Sequence, residues 1–237
     1  MRGKLSSNVS EIERNWLSLF DSFGHPPVRG RVAAPFLSVP PADYDPIAVP
    51  SILYVGKATA GSWWRGSFLR SPTVKERHQC TADFLEGWVR TGKYNSAFWS
   101  FARALSERLA VATHSTIQPL QNLVWTNICK IGVLRGNPTG KILRAQSELA
   151  VAGLRSEIKM YRPSLVVLVT GDYAAQLVDA VVGDCEQKTW HKERGHELFW
   201  WRKPIGNMPA VLWAYHPERK PLSTLEIWLQ QALRLAV

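Results

Sequence analysis

Residues 51–61 read SILYVGKATAG, an apolar run that stops abruptly at glycine, lysine and small side chains. An unbroken apolar run of this length suits a strand buried on both faces of a parallel sheet. Three further runs share the pattern: Leu123–Thr126 (LVWT), Leu165–Thr170 (LVVLVT) and Ala210–Ala214 (AVLWA). Between and after them lie helical patterns over Ser96–Ala110, Lys141–Tyr161, Tyr173–Val182 and Ser223–Ala236, the last opening with Ser223 and Glu226 as a capping box. A first helix is expected over Ser10–Phe23, with Ser10 and Glu13 as its capping box and Ile12, Trp16, Leu17 and Phe20 on one face. Strands alternating with helices predict an α/β three-layer sandwich. Its centre is expected to be a four-stranded, mainly parallel sheet flanked by helices on both faces.

Two stretches interrupt this alternation. Residues 25–50 contain seven prolines and cannot form regular helix. Their interspersed apolar residues predict an irregular wrap over the core rather than a linker, so residues 1–237 are expected to form one domain with residues 1–50 as its N-terminal helix and wrap. The segment Asp184–Lys203 (DCEQKTWHKERGHELFWWRK) is charged, aromatic and centred on Gly195, and reads as a hairpin or a long surface loop.

The chain has 29 Lys and Arg against 19 Asp and Glu, a formal charge of +10, a balance that suits a nucleic-acid partner as well as a merely basic surface. Its 25 aromatic rings are too many for all to be core residues, so some are expected at the surface, where they can stack on flat ligands. Cys80, Cys129 and Cys185 are widely spaced and odd in number, which argues against a thiolate metal site or a disulfide framework. No apolar stretch suggests a signal peptide or a membrane span. The expected setting is cytoplasmic, nucleoid-associated if bacterial, with no membrane contact.

In an open parallel sheet, ligands bind beyond the carboxyl ends of the strands. The residues that follow the four runs are Gly56 to Gly61, Asn127, Gly171-Asp172-Tyr173 and Tyr215-His216-Pro217. None of these is a GxxxxGK[ST] loop, a GxGxxG fingerprint or a GxSxG elbow. Taken singly, Gly56 reads as a turn glycine, Asn127 as a loop cap and His216 as a half-buried histidine. The signal is their order and their joint placement at successive strand ends.

This arrangement resembles the uracil-DNA glycosylase superfamily. LYVGKATAG matches the place of that family's glycine-rich first motif, WTNICKIG resembles its base-reading Asn strand, and VLVTGDYA its apolar strand ending in Gly-x-Tyr-Ala. WAYHPERKPLS resembles its late His-Pro motif, with two extra residues before Pro-Leu-Ser. The resemblance implies a cofactor-free, metal-free glycosylase that hydrolyses the N-glycosidic bond of uracil in single- or double-stranded DNA, acting as a monomer in base excision repair. It assigns His216 as the donor to the departing base and Asn127 as the base reader. Gly56, Lys57 and Ala58 form the base pocket, and Trp63, Trp64 or Phe68 stacks on the flipped base. Arg219, Lys220 and Arg65 contact DNA, and Leu222 is the inserted wedge. Lys57, Arg65, Arg70, Lys75 and Arg77 would form a basic rim.

One departure bears on catalysis. The best-studied branch positions its water with an aspartate two residues after the first glycine, and Ala58 stands there in this chain. Asp83, Glu86 and Asp172 are the candidate substitutes. A glycosylase-fold protein that binds DNA or a modified base without hydrolysis is therefore the alternative, and an enzyme acting on a free nucleoside or nucleotide is a third.

Overall fold

The four apolar runs become four parallel strands of a larger sheet. The computed structural model describes residues 2–23, 32–42, 44–46, 50–60, 73–183, 188–193 and 196–237. In chain order its elements are α1 (Arg2–Ser22), β1 (Ile52–Ala60), α2 (Val74–Phe84), α3 (Ala97–Ala112), β2 (Leu123–Val133), α4 (Gly140–Tyr161), β3 (Leu165–Leu168), α5 (Ala175–Val182), β4 (Thr189–Glu193), β5 (His196–Arg202), β6 (Ala210–Ala214) and α6 (Leu222–Ala236). The sheet order is β2-β1-β3-β6-β5-β4, with β2, β1, β3 and β6 parallel and β5 and β4 antiparallel.

Period-two alternation sends each strand's residues to opposite faces. Ile52, Tyr54, Leu165 and Leu212 pack with Trp99, Leu105 and Trp228 of α3 and α6. Leu53, Val55, Val166 and Val211 pack with Trp16, Leu154 and Val178 of α1, α4 and α5. The expected α/β architecture, a mostly parallel sheet flanked by helices, is present.

Among the described residues the sheet has six strands rather than four. The two extra strands come from the charged, aromatic segment after α5, which is a hairpin. Trp200 of β5 stacks on Trp213 of β6 with ring centres 6.0 Å apart and planes 8° from parallel. Trp190 of β4 meets both rings nearly edge-on, at 6.2 and 6.0 Å. Cross-strand aromatic pairs stabilise a sheet edge even when the intervening residues are charged, and those charges hide the alternation from a hydrophobicity reading.

Helix boundaries also differ. Ser10 and Glu13 lie inside α1, which begins at Arg2, and so are no capping box. Ser223 follows the first residue of α6, and Glu226 pairs with Arg108 of α3, 2.7 Å from Nη2 to Oε2. A complete capping box does occur at α2, a helix the sequence reading lacked. The Thr73 hydroxyl accepts the Glu76 N–H at 3.2 Å, and the Glu76 carboxylate accepts the Thr73 N–H at 2.7 Å.

β1 and β2 run past their apolar stretches, so Gly56 and Asn127 lie inside strands and pair in register. The register shifts between Ala58 and Ala60. At this irregularity a Cβ on Gly132 would fall 1.8 Å from the Thr59 carbonyl oxygen, which requires glycine. The outer edge of β2 is covered by the proline-rich wrap: the Ala33 and Phe36 N–H groups donate to the Gly132 and Lys130 carbonyls, both at 2.9 Å. Covering an edge removes a template for unwanted pairing.

Beneath the wrap, Glu157 of α4 accepts hydrogen bonds from Lys130 Nζ at 2.6 Å, Ser38 Oγ at 2.7 Å and Thr126 Oγ1 at 2.9 Å. Burial pushes the Lys130 pKa down while Glu157 opposes that shift. Removing one partner of a buried pair strands the other charge. Glu157→Ala should therefore lower the unfolding free energy by about 3–5 kcal/mol in urea titrations, and adding Lys130→Met should restore much of the loss.

Candidate functional site

The chain leaves β1 toward β2 on one side, then crosses back over β1 to place β3 on the other. Open α/β sheets bind ligands where the strand order reverses in this way, beyond the carboxyl ends. A cleft of about 750 Å³ opens there, bordered by Gly56, Lys57, Ala58, Asn127, His216, Arg219 and Lys220. Residues from three separate parts of the sequence thus converge.

Asn127 is 2% exposed, and its amide Nδ2 has no hydrogen-bond partner among the described residues. A buried amide without a partner costs about 1–3 kcal/mol, so a structure that keeps one calls for an explanation. Two other cleft-lining residues share the property: Trp125 Nε1 and Thr59 Oγ1 are also buried and without partners among the described residues. Trp125 and Asn127 stand two apart on β2 and so share a face. Gly56 lets the strands meet: a Cβ there would sit 2.5 Å from Asn127 Oδ1 and 3.2 Å from the Phe98 ring.

His216 follows β6. Its Nδ1 accepts the Glu218 backbone N–H at 3.2 Å, which leaves Nε2 to carry the proton of the neutral ring. Burial, and then the positive charge of Lys57, hold its pKa below the ordinary histidine value, with Glu218 opposing. The neutral ring lies nearly parallel to Phe98, at 5.8 Å between centres and 19° between planes. Phe98 is fixed in turn by Tyr54, whose ring lies 4.5 Å away and whose hydroxyl donates to the Phe98 carbonyl at 3.0 Å.

Other expected residues fall differently. Trp63, Trp64, Arg65, Phe68 and Arg70 lie outside the described residues. Leu222 is 84% exposed at the first turn of α6 and is not among the cleft-lining residues. Arg77 is buried, donating to Cys80 Sγ at 3.4 Å, and Lys75 borders a different surface hollow, so neither belongs to the cleft rim. None of the substitute carboxylates lines the cleft either. Asp83 accepts from Gln79, Glu86 pairs with Arg90, and Asp172 accepts from the Tyr215 hydroxyl at 3.0 Å. The carboxylate among the described cleft residues is Glu218.

Sequence reasoning missed Phe98, Trp125 and Glu218. Trp125 was signalled by its two-residue offset from Asn127, and Glu218 by its place after His216-Pro217. Phe98 comes from a helix distant in sequence, and only packing reveals it. No group of three or more His, Cys, Asp or Glu side chains suited to a metal occurs among the described residues. No helix among them is long and apolar enough to cross a membrane. No protein-family model matches the chain, and no curated protein matches it.

Two outcomes test this geometry without reference to any reaction. Gly56→Ala should displace the Asn127 amide and lower stability by about 1–3 kcal/mol, as overpacking does; an unmoved amide in the variant's crystal structure would contradict the contact. In an NMR titration His216 should lose its proton below the usual histidine midpoint of about 6.5. Lys57→Ala should raise that midpoint without carrying it above the usual value, because burial still disfavours the cation. The linkage has a definite sign: below pH 6.5 the unfolded chain takes up this proton more readily, so the depressed pKa makes His216 a source of acid lability.

Proposed function

We propose that the chain is a DNA glycosylase that flips uracil into the cleft and hydrolyses its N-glycosidic bond. The observation that carries this reading is a buried Asn127 amide, without a partner among the described residues, in the same cleft as a neutral His216. Uracil presents O4 as an acceptor and N3–H as a donor, and one carboxamide offers the complementary pair. As the bond to the sugar breaks, negative charge moves onto the base. A neutral histidine donating from Nε2 stabilises that charge where it develops, in the manner of an oxyanion hole. Lys57 adds a cation close enough to depress the His216 pKa. Phe98 supplies a ring at the cleft for the flipped base. Arg219 and Lys220 border the same opening and suit backbone phosphates. Leu222, exposed at the start of α6, remains the proposed wedge.

Ala58 borders the cleft where a water-orienting carboxylate would stand, and this observation favours a second reading, a base-binding protein without hydrolysis. One assay separates the two. Uracil-containing oligonucleotides are incubated with the protein, and abasic sites are then cleaved with alkali. Strand breaks support the glycosylase, and binding without breaks supports the second reading. With active protein, Asn127→Asp should lower uracil excision roughly 10- to 100-fold, the cost of a lost buried hydrogen bond. His216→Ala should slow single-turnover excision about 100- to 1000-fold while leaving oligonucleotide affinity nearly unchanged. Excision indifferent to both substitutions would remove the site from consideration.

A further inference from the structure

Beside the cleft, α2 ends in a single π-helical turn, Leu85–Val89, closed by an Arg90 N–H bond to the Leu85 carbonyl at 2.9 Å. Such turns put a side chain where a regular helix would not, often near functional sites. This one carries Trp88, 57% exposed. Six residues later comes Tyr94, 43% exposed, whose N–H donates to the Trp88 carbonyl at 2.9 Å. The turn is held by Arg103, which donates to the Val89 carbonyl at 2.6 Å, and by Thr91, which bonds back to Gly87 at 2.9 Å. Tyr94 itself borders the cleft and packs edge-on against Phe84, which in turn packs against Trp125. One exposed ring thus borders the cleft, and a second stands exposed on the braced turn that leads to it in sequence.

We propose that Trp88 and Tyr94 are a stacking platform for unpaired bases flanking the target, which makes single-stranded DNA the favoured substrate. The proposal rests on the glycosylase reading for the identity of the target base. Bases in a duplex are stacked and paired, and their faces are closed to a side chain; every unpaired base offers a π-face, so stacking binds single strands with little sequence preference. Exposed Lys93, between the two rings in sequence, and the cleft residues Lys57, Arg219 and Lys220 supply charge for the backbone.

The test uses an oligonucleotide that contains no uracil, so it is independent of excision. Anisotropy of a labelled 12-nucleotide thymidine strand, alone and annealed to its complement, is measured with the wild-type protein and with Trp88→Ala and Trp88→Phe. The wild type should bind the single strand more tightly. Trp88→Ala should weaken single-strand binding about tenfold, within the range expected for one lost stacking contact, and change duplex binding less than twofold. Trp88→Phe should keep most of the affinity. An equal loss on both substrates, no loss on the single strand, or no measurable binding by the wild type would each overturn the proposal. Failure of uracil excision, with the single-strand effect intact, would count against the glycosylase reading alone.

Discussion

The cleft depends on how closely β1 and β2 approach at Gly56 and Asn127. These residues are register partners in a parallel pair, and the space that a Cβ would take on Gly56 is filled by the Asn127 carboxamide and the Phe98 ring. The contact does two things. It fixes the amide against the backbone of a neighbouring strand, so Asn127 loses little rotamer freedom on meeting a ligand. It also brings a ring from α3 over the end of the sheet, which Tyr54 then holds in place from the middle of β1. The polar and aromatic walls are therefore positioned by one close approach, and the second irregularity at Gly132 lets both strands continue beyond it.

Electrostatics gives the cleft its direction. Lys57, Arg219 and Lys220 stand against Glu218 alone among the described lining residues. Such a field favours an anion that forms during reaction or one already present on a phosphate. Burial first, and then the positive charge of Lys57, disfavour a cation at His216, which stays neutral. Neutrality keeps Nδ1 available to accept the Glu218 N–H, and that bond orients the ring. Burial, the Lys57 charge and the Glu218 hydrogen bond thus act together on one ring.

Much of the layer architecture was legible because buried parallel strands are written as apolar runs, and SILYV, LVWT, LVVLVT and AVLWA all became strands. Legibility stopped where polar residues sit inside strands. GKATA and NICKIGV continue β1 and β2 because backbone pairing continues, and a hydrophobicity pattern cannot register that. The β4–β5 hairpin was ambiguous because three tryptophans, rather than an alternating pattern, attach it to the sheet. Gly56, Asn127 and His216 could be singled out by their order relative to the strands. Phe98 could not, since only tertiary packing brings α3 to the cleft, and Arg77, a rim cation by sequence, is buried on α2.

Unpartnered buried atoms carry weight only through where they lie. Trp16, Trp228, Arg77 and Arg202 also hold buried nitrogen atoms without partners among the described residues, and none of these four side chains lines the cleft. Each is a dispersed cost of packing a large amphipathic side chain, whose apolar body gains more by burial than its polar tip loses. At the cleft the balance differs. A carboxamide gains little from apolar burial, and isolating its amide brings no compensating contact. Asn127 nevertheless stays in that position, and His216 and Thr59, whose Oγ1 is also buried, border the same cleft. Asn127, Trp125 and Thr59 all border the cleft, so three buried polar side chains that lack partners among the described residues belong to its lining.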